Sequence, residues 1–284
     1  MLDRSEIGKR GYLHEDYRLF SLRDSRAIKL DYHYHEFDKL VFHLAGRAEY
    51  HIEGKSYPLQ PMDVLLVSRN MIHLPVIDPS QSYERMVLWI NRDFLSRSST
   101  EDADLASCFT LAAQGEDRAR YRALFSRVRE ASSSTEFGAR LLADTCVLQL
   151  MIALNRDIRT PLPDSGAACR FDPKMEEVTR YIREHLSERL SIDRLAGTFY
   201  LSRYYLMHRF KAAYGCTVHQ YIQQKRLQEA AGKIRQGVPV LKAAEEAGFG
   251  DYSVFLRAFR AAYGCSPRAA GRSQFGQAGQ AARE

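Results

Sequence analysis

Two spacings of hydrophobic residues divide this chain. From Tyr12 to Ile90 the apolar residues fall in short runs, KLVFHLAG, AEYHIEG, DVLLV and ERMVLWI, rich in β-branched and aromatic types. Gly46, Gly54, Pro58 and Pro61 interrupt them. Glu53-Gly54-Lys55 suits a tight hairpin, and Gln60-Pro61-Met62-Asp63 a second turn. Many short strands with regular turns predict a sandwich or barrel, whose interior holds packed side chains or one small ligand.

Beyond Phe94 the period becomes helical. EDRARYRALFSRVREA places Tyr121, Leu124, Phe125 and Val128 on one face and Arg118, Arg120, Arg122 and Arg127 in solvent. ARLLADTCVLQLMIALN, Ala139 to Asn155, is apolar on more than one side through Leu141, Leu142, Leu148, Met151, Ile152 and Leu154. Such a helix is buried on two sides, one against the barrel and the other against the same core or a twin subunit. TPLPDSGAA, from Thr160 to Ala168, has linker composition. A helix follows, with Asp172 as cap, Pro173 at its first position and Glu176 and Glu177 in its first turn. From Ser273 onward no apolar period remains, and that tail is expected to be disordered.

One pattern occurs twice in the C-terminal part, from Ser191 to Cys216 and from Pro239 to Pro267. Leu195, Ala196, Leu206, Phe210, Tyr214 and Gly215 answer to Ala243, Ala244, Phe255, Phe259, Tyr263 and Gly264. Each copy reads as a short helix, a tight turn and a second helix, with Ser202 or Asp251 as the second helix's cap. Leu206 with Phe210, and Phe255 with Phe259, define buried faces. The outward faces carry Arg203, Tyr204, Met207, His208 and Lys211 in one copy, and Tyr252, Ser253, Leu256, Arg257 and Arg260 in the other. A helix presented this way fits the major groove, and two units about one DNA turn apart would read successive segments on one side of the duplex.

The stretch GFGDYSVFLRAFRAAYGCSP resembles the AraC/XylS transcription regulators, whose pattern runs Gly-Phe, cap, Ser, Phe, Arg, Phe, basic residue, Gly and Pro. TVHQYIQQKRLQEAAGKIRQG is similar to that family's long connecting helix, with Tyr221, Ile222, Arg226, Leu227 and Ala230 in place. The resemblance spans Pro173 to Arg272. Three positions depart from it. His208 stands where Arg is usual, with Arg209 beside it; Leu256 replaces a small polar residue; and Ala270, Gly271 and Arg272 leave the last short helix with less to anchor it.

Charge follows the same division. Residues 1–169 hold 22 Lys and Arg against 24 Asp and Glu, whereas residues 170–272 hold 18 against 10, within a net charge of +6. A basic half with paired reading helices implies a polyanion partner. Arg203, Tyr204, Met207, His208, Tyr252, Ser253 and Arg257 are the expected base readers, and Lys211, Lys225 and Arg260 the phosphate contacts. The five cysteines, Cys108, Cys146, Cys169, Cys216 and Cys265, form no paired motif and read as reduced thiols. No run is long enough for a membrane span, and MLDRSEIGKR lacks a signal core, so a cytoplasmic protein is expected, bacterial by the resemblance.

In the first half, HYHEFDK from His33 to Lys39, followed by Gly46 and His73, resembles the cupin pattern of metal-ligating residues in a jelly-roll barrel. Strand alternation puts His33 and His35 on one face. Lys39, however, occupies the place of a metal-binding cupin's Glu, and an ammonium must lose a proton before it can ligate. Three readings stand: a metal-dependent cupin enzyme fused to a DNA-binding module, histidines satisfied by structural hydrogen bonds, or a site for a small effector. The AraC/XylS resemblance implies the last. Its expected residues are His33, His35, Lys39, His73, Arg85 and Trp89, with His43 and His51 as further wall candidates and Trp89 also suited to the core. They would favour a carboxylate or a hydroxyl-rich ligand, such as an organic acid or sugar.

The expected protein is therefore an α+β multidomain regulator. Residues 1–160 form a cupin-like jelly-roll β-barrel with flanking helices, for effector binding and dimerisation. Residues 161–171 link it to an all-α pair of helix-turn-helix units at 172–272, and 273–284 form the tail. The expected partners are promoter DNA, a small effector, a second copy of the chain and RNA polymerase, with no resident metal, cofactor or membrane. No catalytic triad, phosphate loop or dinucleotide-binding turn occurs, so no enzymatic activity is expected. A purely structural binder of DNA phosphates is the remaining rival.

Overall fold

The computed structural model describes residue 13 and residues 15–24, 32–110, 118–159 and 170–271. Most of the expected linker, Arg272 and the tail lie outside the described residues. The chain divides into two units, Met1–Arg170 and Phe171–Glu284.

In the first unit β1 (Tyr17–Asp24), β7 (Tyr83–Ile90), β2 (Asp38–Ala45) and β5 (Val64–Val67) form one antiparallel sheet in that order. In the second sheet β3 (Ala48–Ile52) pairs with both β4 (Lys55–Leu59) and β6 (His73–Ile77). The hairpins form where the sequence suggests. Glu53 and Gly54 both take positive φ between β3 and β4, the twist that a two-residue hairpin needs. At the second turn, Asp63 N–H donates to the Gln60 carbonyl.

Alternation along β2 and β7 sorts their side chains between two cores. Leu40, Phe42, Met86, Leu88 and Ile90 meet Tyr121, Phe125, Val128, Val147, Leu150 and Met151, which come from α2 (Arg118–Ser133) and α3 (Ala139–Arg159). The Phe42 and Phe125 rings stack at 5.0 Å. On the other face, Val41, Leu65, Val67 and Tyr83 pack against Ala48, Tyr50, Ile52 and Leu59 of the second sheet. Ion pairs tie the layers together: Asp38, fully buried on β2, takes a bidentate grip from Arg92 at 2.6 and 2.7 Å, where α1 (Arg92–Ser98) begins.

The second unit is helical: α4 (Pro173–Glu184), α5 (Ile192–Thr198), α6 (Arg203–Tyr214), α7 (Val218–Arg235), α8 (Val240–Glu246) and α9 (Tyr252–Tyr263). The caps are those the sequence offers. Asp172 accepts from Lys174 and Met175 N–H, Ser202 from Tyr205 N–H, and Asp251 from Ser253 and Val254 N–H. Gly215 and Gly264 end α6 and α9 in the left-handed conformation. Leu206, Phe210, Phe255 and Phe259 are fully buried.

The anchoring of the last short helix differs from expectation. Residues 267–271 are helical, Ser266 caps them through Ala269 N–H, and Pro267 is buried. Gly271 lies so near Ile234 that an added Cβ would come within 3.2 Å of its methyl group. The missing side chain at Gly271 permits that approach.

Gly248 sets how the two helix-turn-helix units meet. Its φ is +91°, and an added Cβ would stand 2.2 Å from the Leu186 carbonyl oxygen and 3.0 Å from Ser187 Cα. From α7, Arg226 donates to the same carbonyl at 2.9 Å and to that of Glu188 at 2.6 Å. Gly248→Ala should therefore destabilise the chain by about 2–4 kcal/mol, from backbone strain plus a clash with main chain that cannot easily move. Gly250→Ala, with open space around its Cβ, should melt within about 1 kcal/mol of the native chain. Thermal unfolding of the two variants measures the contrast.

Candidate effector site and nucleic-acid interface

Lys39 sits mid-sheet, with Val67 and Trp89 as its strand partners. Its Nζ lies 3.1 Å from His73 Nε2. His73 is held twice. Its backbone exchanges both hydrogen bonds with His33, at 3.1 and 2.9 Å, and its Nδ1 lies 3.0 Å from the Met71 carbonyl oxygen. A carbonyl only accepts, so Nδ1 carries the proton and Nε2 presents a lone pair to Lys39. The imidazole rings of His33, His35 and His73 gather with centroids 4.4 to 5.2 Å apart. Around them His35 stacks on Phe37 at 4.5 Å, and Trp89 packs on Phe37 and Phe20.

This cluster is short of partners. His35 Nδ1 and Trp89 Nε1 are buried without a hydrogen bond among the described residues. Lys39 is 8% exposed, and no carboxylate pairs with it among the described residues. Burial, helped by Arg85, lowers its ammonium to about 7. Burial first, then Lys39 and His33, holds His35 well below the ordinary imidazole range, and His73 is lowered for the same causes. Neutral imidazoles and a half-titrated amine thus face one another near neutral pH.

One ligand nitrogen from each of His33, His35 and His73 falls within 4.8 Å of the others, a spacing that could gather around an ion. The donor set does not fit one as arranged. Both nitrogens of His73 are engaged, by Met71 and Lys39, and the fourth position carries an amine where a carboxylate would neutralise a cation.

Of the six expected effector residues, five converge: His33, His35, Lys39, His73 and Trp89. Arg85 faces the same interior but lies four residues along β7 from Trp89, about 13 Å by strand rise. There it bonds Asp24 at 2.6 Å and covers the Tyr83 ring at 4.4 Å. His43 is fully buried near Tyr83, not solvated. His51 alternates to the outer face of β3, within 3.5 Å of Glu49.

In the second unit Arg203, Tyr204, Met207, His208 and Lys211 are exposed along α6, and Tyr252, Ser253, Arg257 and Arg260 along α9. Leu256 is half-buried. Arg203 pairs with Asp193 of α5 at 2.9 Å, an exposed contact that a phosphate or base could displace at little cost. Tyr204 and His208 stack four residues apart at 5.9 Å. Lys225 lies half-buried on α7 with its ammonium 5.4 Å from the Tyr221 ring centroid. Arg209 does not share that outward role: it bonds Asp172 at 2.6 Å and so ties α6 to the start of α4.

Sequence reading overlooked Tyr200. It is 96% exposed with φ +55°, at the turn position where the second copy has Gly248. Pairing Leu201 with Phe249, which make equivalent turn hydrogen bonds, would have exposed the mismatch. A tyrosine held left-handed in open solvent stores strain of about 1–3 kcal/mol.

A barrel with a polar interior cluster, joined in one chain to two reading helices, defines a ligand-responsive transcription regulator. Comparison with known proteins gives the same answer. A family model described as AraC-like ligand binding domain matches residues 20–151, and one described as helix-turn-helix domain matches residues 195–273. The chain belongs to the AraC family of transcription regulators. It is 28% identical over 238 residues to the probable transcriptional regulator LumQ of Photobacterium leiognathi, covering 83% of this chain and 90% of that protein. It is 24% identical to the transcriptional activator RhaS of Salmonella schwarzengrund, over 83% of this chain and 85% of RhaS. Among solved structures, the C-terminal domain of AraT from Geobacillus stearothermophilus matches 37% of this chain and 88% of its own at 26% identity, with a TM-score of 0.36. No helix among the described residues is long and apolar enough to cross a membrane.

The depressed Lys39 has a consequence for stability. The unfolded chain holds this proton more tightly than the fold does between pH 7 and 10.5, so the residue's contribution rises with pH across that window. Lys39→Met should melt above the native chain at about pH 6, with the gap narrowing by about pH 9. Melting curves at both values check the sign; a gap that widens with pH would mean that the ammonium is not a buried charge.

Proposed function

We propose that the first unit binds a small polar or anionic effector at His33, His35, Lys39 and His73, with Trp89 as wall and Arg85 acting from a distance. Binding there governs how the second unit engages promoter DNA. One observation carries this reading: among the described residues, a buried lysine has no counter-charge, beside two buried ring nitrogens that have no partners. A carboxylate or hydroxyl-rich ligand would satisfy all three. An effector of this kind need favour one arrangement by only about 1–3 kcal/mol. The protein acts in the cytoplasm as a regulator rather than an enzyme, with RNA polymerase as its downstream partner.

On DNA, Arg203, Tyr204, Met207, His208, Tyr252, Ser253 and Arg257 read bases, and Lys211, Lys225 and Arg260 hold phosphates. Selection from random DNA with the full chain should enrich two short motifs about 10 base pairs apart. Arg257→Ala should relax one position, at a cost of about 1–3 kcal/mol. An unsorted pool whose affinity still falls steeply with salt would reduce the second unit to phosphate binding.

The barrel units pair through α3. Leu141 is 71% exposed and Ile152 38%, about three turns apart on one face, with Phe137 fully exposed just before the helix. We expect Leu141→Glu to shift the chain from dimer to monomer in sedimentation while leaving its melting temperature unchanged. A native chain that sediments as a monomer at micromolar concentration would remove this interface.

A further inference from the structure

Lys39, His73 and the Met71 carbonyl stand in a line that ion pairing does not require. A nucleophile within hydrogen-bond reach of a base, and a base oriented by a third group, is the arrangement that activates an amine. Here Nζ is 3.1 Å from Nε2, and Nδ1 on the far side of the ring is 3.0 Å from the carbonyl oxygen. The groups facing Lys39 are the three imidazoles, the Trp89 strand partner and, further off, Arg85, which Asp24 already neutralises. No fixed anion opposes it among the described residues, so only the neutral acceptor His73 Nε2 favours the ammonium against the cost of burial.

We propose that Lys39 captures its effector covalently, which makes the barrel a receptor for small carbonyl compounds, aldehydes in particular. This rests on the reading that the effector enters the His33, His35, Lys39 and His73 cluster. The free amine adds to the carbonyl carbon, a C–N bond forms, and the π electron pair moves to oxygen, which takes up a proton. His73 Nε2 relays to that oxygen, one after the other, the two protons that nitrogen sheds, the first giving the carbinolamine and the second making its hydroxyl a leaving water. The C–O bond then breaks and water leaves. Aldehyde and amine thus give an imine and one water, with no change in oxidation state and no co-reactant. The lowered ammonium supports the step, since close to half of Lys39 is free amine near neutral pH. His35 Nδ1, buried and without a partner among the described residues, supplies a further polar contact for the effector's oxygen.

The test uses the full chain at about pH 7 with propanal and cyanoborohydride, which reduces an imine to a stable propyl amine, read by peptide-resolved mass spectrometry over time. Lys39 should be labelled on the order of a hundredfold faster than Lys211, which is exposed on α6. His73→Gln, which keeps a hydrogen-bond acceptor but not the base, should slow labelling of Lys39 and leave Lys211 unchanged. Labelling of Lys39 no faster than Lys211 overturns covalent capture. Melting with propionate, which cannot form an imine, separates the two readings. A rise seen in the native chain and lost in Lys39→Met, with Lys39 unlabelled by propanal, keeps the effector site and rejects the imine. No response to either probe rejects both.

Discussion

Burial of β2 and β7 on both faces is the constraint from which the rest of the first unit follows. A central strand covered on two sides has no solvent-facing positions, so every polar residue on it must find a partner inside the protein. Asp38 finds Arg92, Arg85 finds Asp24, and the Tyr83 hydroxyl finds Tyr50 at 3.2 Å. Lys39 is the exception in kind, because its partner is a neutral imidazole. Such a residue weakens the fold by itself, and it concentrates in one place the free energy that a ligand could recover.

The second unit divides its polar residues differently. Arginines that look interchangeable in sequence have separate duties: Arg226 and Arg209 hold backbone and cap together, whereas Arg257 and Arg260 are exposed on α9. The net positive charge of this half is therefore partly structural. Part of its outward share, Arg203, Lys211, Arg257 and Arg260, lies on the two helices whose opposite faces are sealed by Leu206, Phe210, Phe255 and Phe259.

Much of this was legible in the sequence because it depends on local rules. Helix caps at Asp172, Ser202 and Asp251, the Glu53-Gly54 hairpin and the duplicated apolar spacing each specify their own geometry within a few residues. The grouping of His33, His35 and Lys39 was visible for the same reason, and His73 through its likeness to the cupin pattern. What sequence could not supply was pairing at long range. The Asp24 grip on Arg85 spans 61 residues, and it turns an apparent anion ligand into a satisfied core group. The depth of His43 and the outward turn of His51 depend on strand register, which a shift of one residue would reverse. The Tyr200 strain hid in a turn one residue shorter than its counterpart.

The contact between Gly248, Arg226 and the Leu186 carbonyl has a further consequence. It joins the turn of the second helix-turn-helix unit to the loop after α4 through the connecting helix, with no side chain between to act as a cushion. The two reading helices then form a caliper of fixed opening. One base pair inserted between their targets rotates the far site by about 34–36° around the duplex axis. A hinged pair would follow that rotation and a clamped pair would not, so under the proposed mode of reading the chain would gauge the phase of DNA as well as its letters.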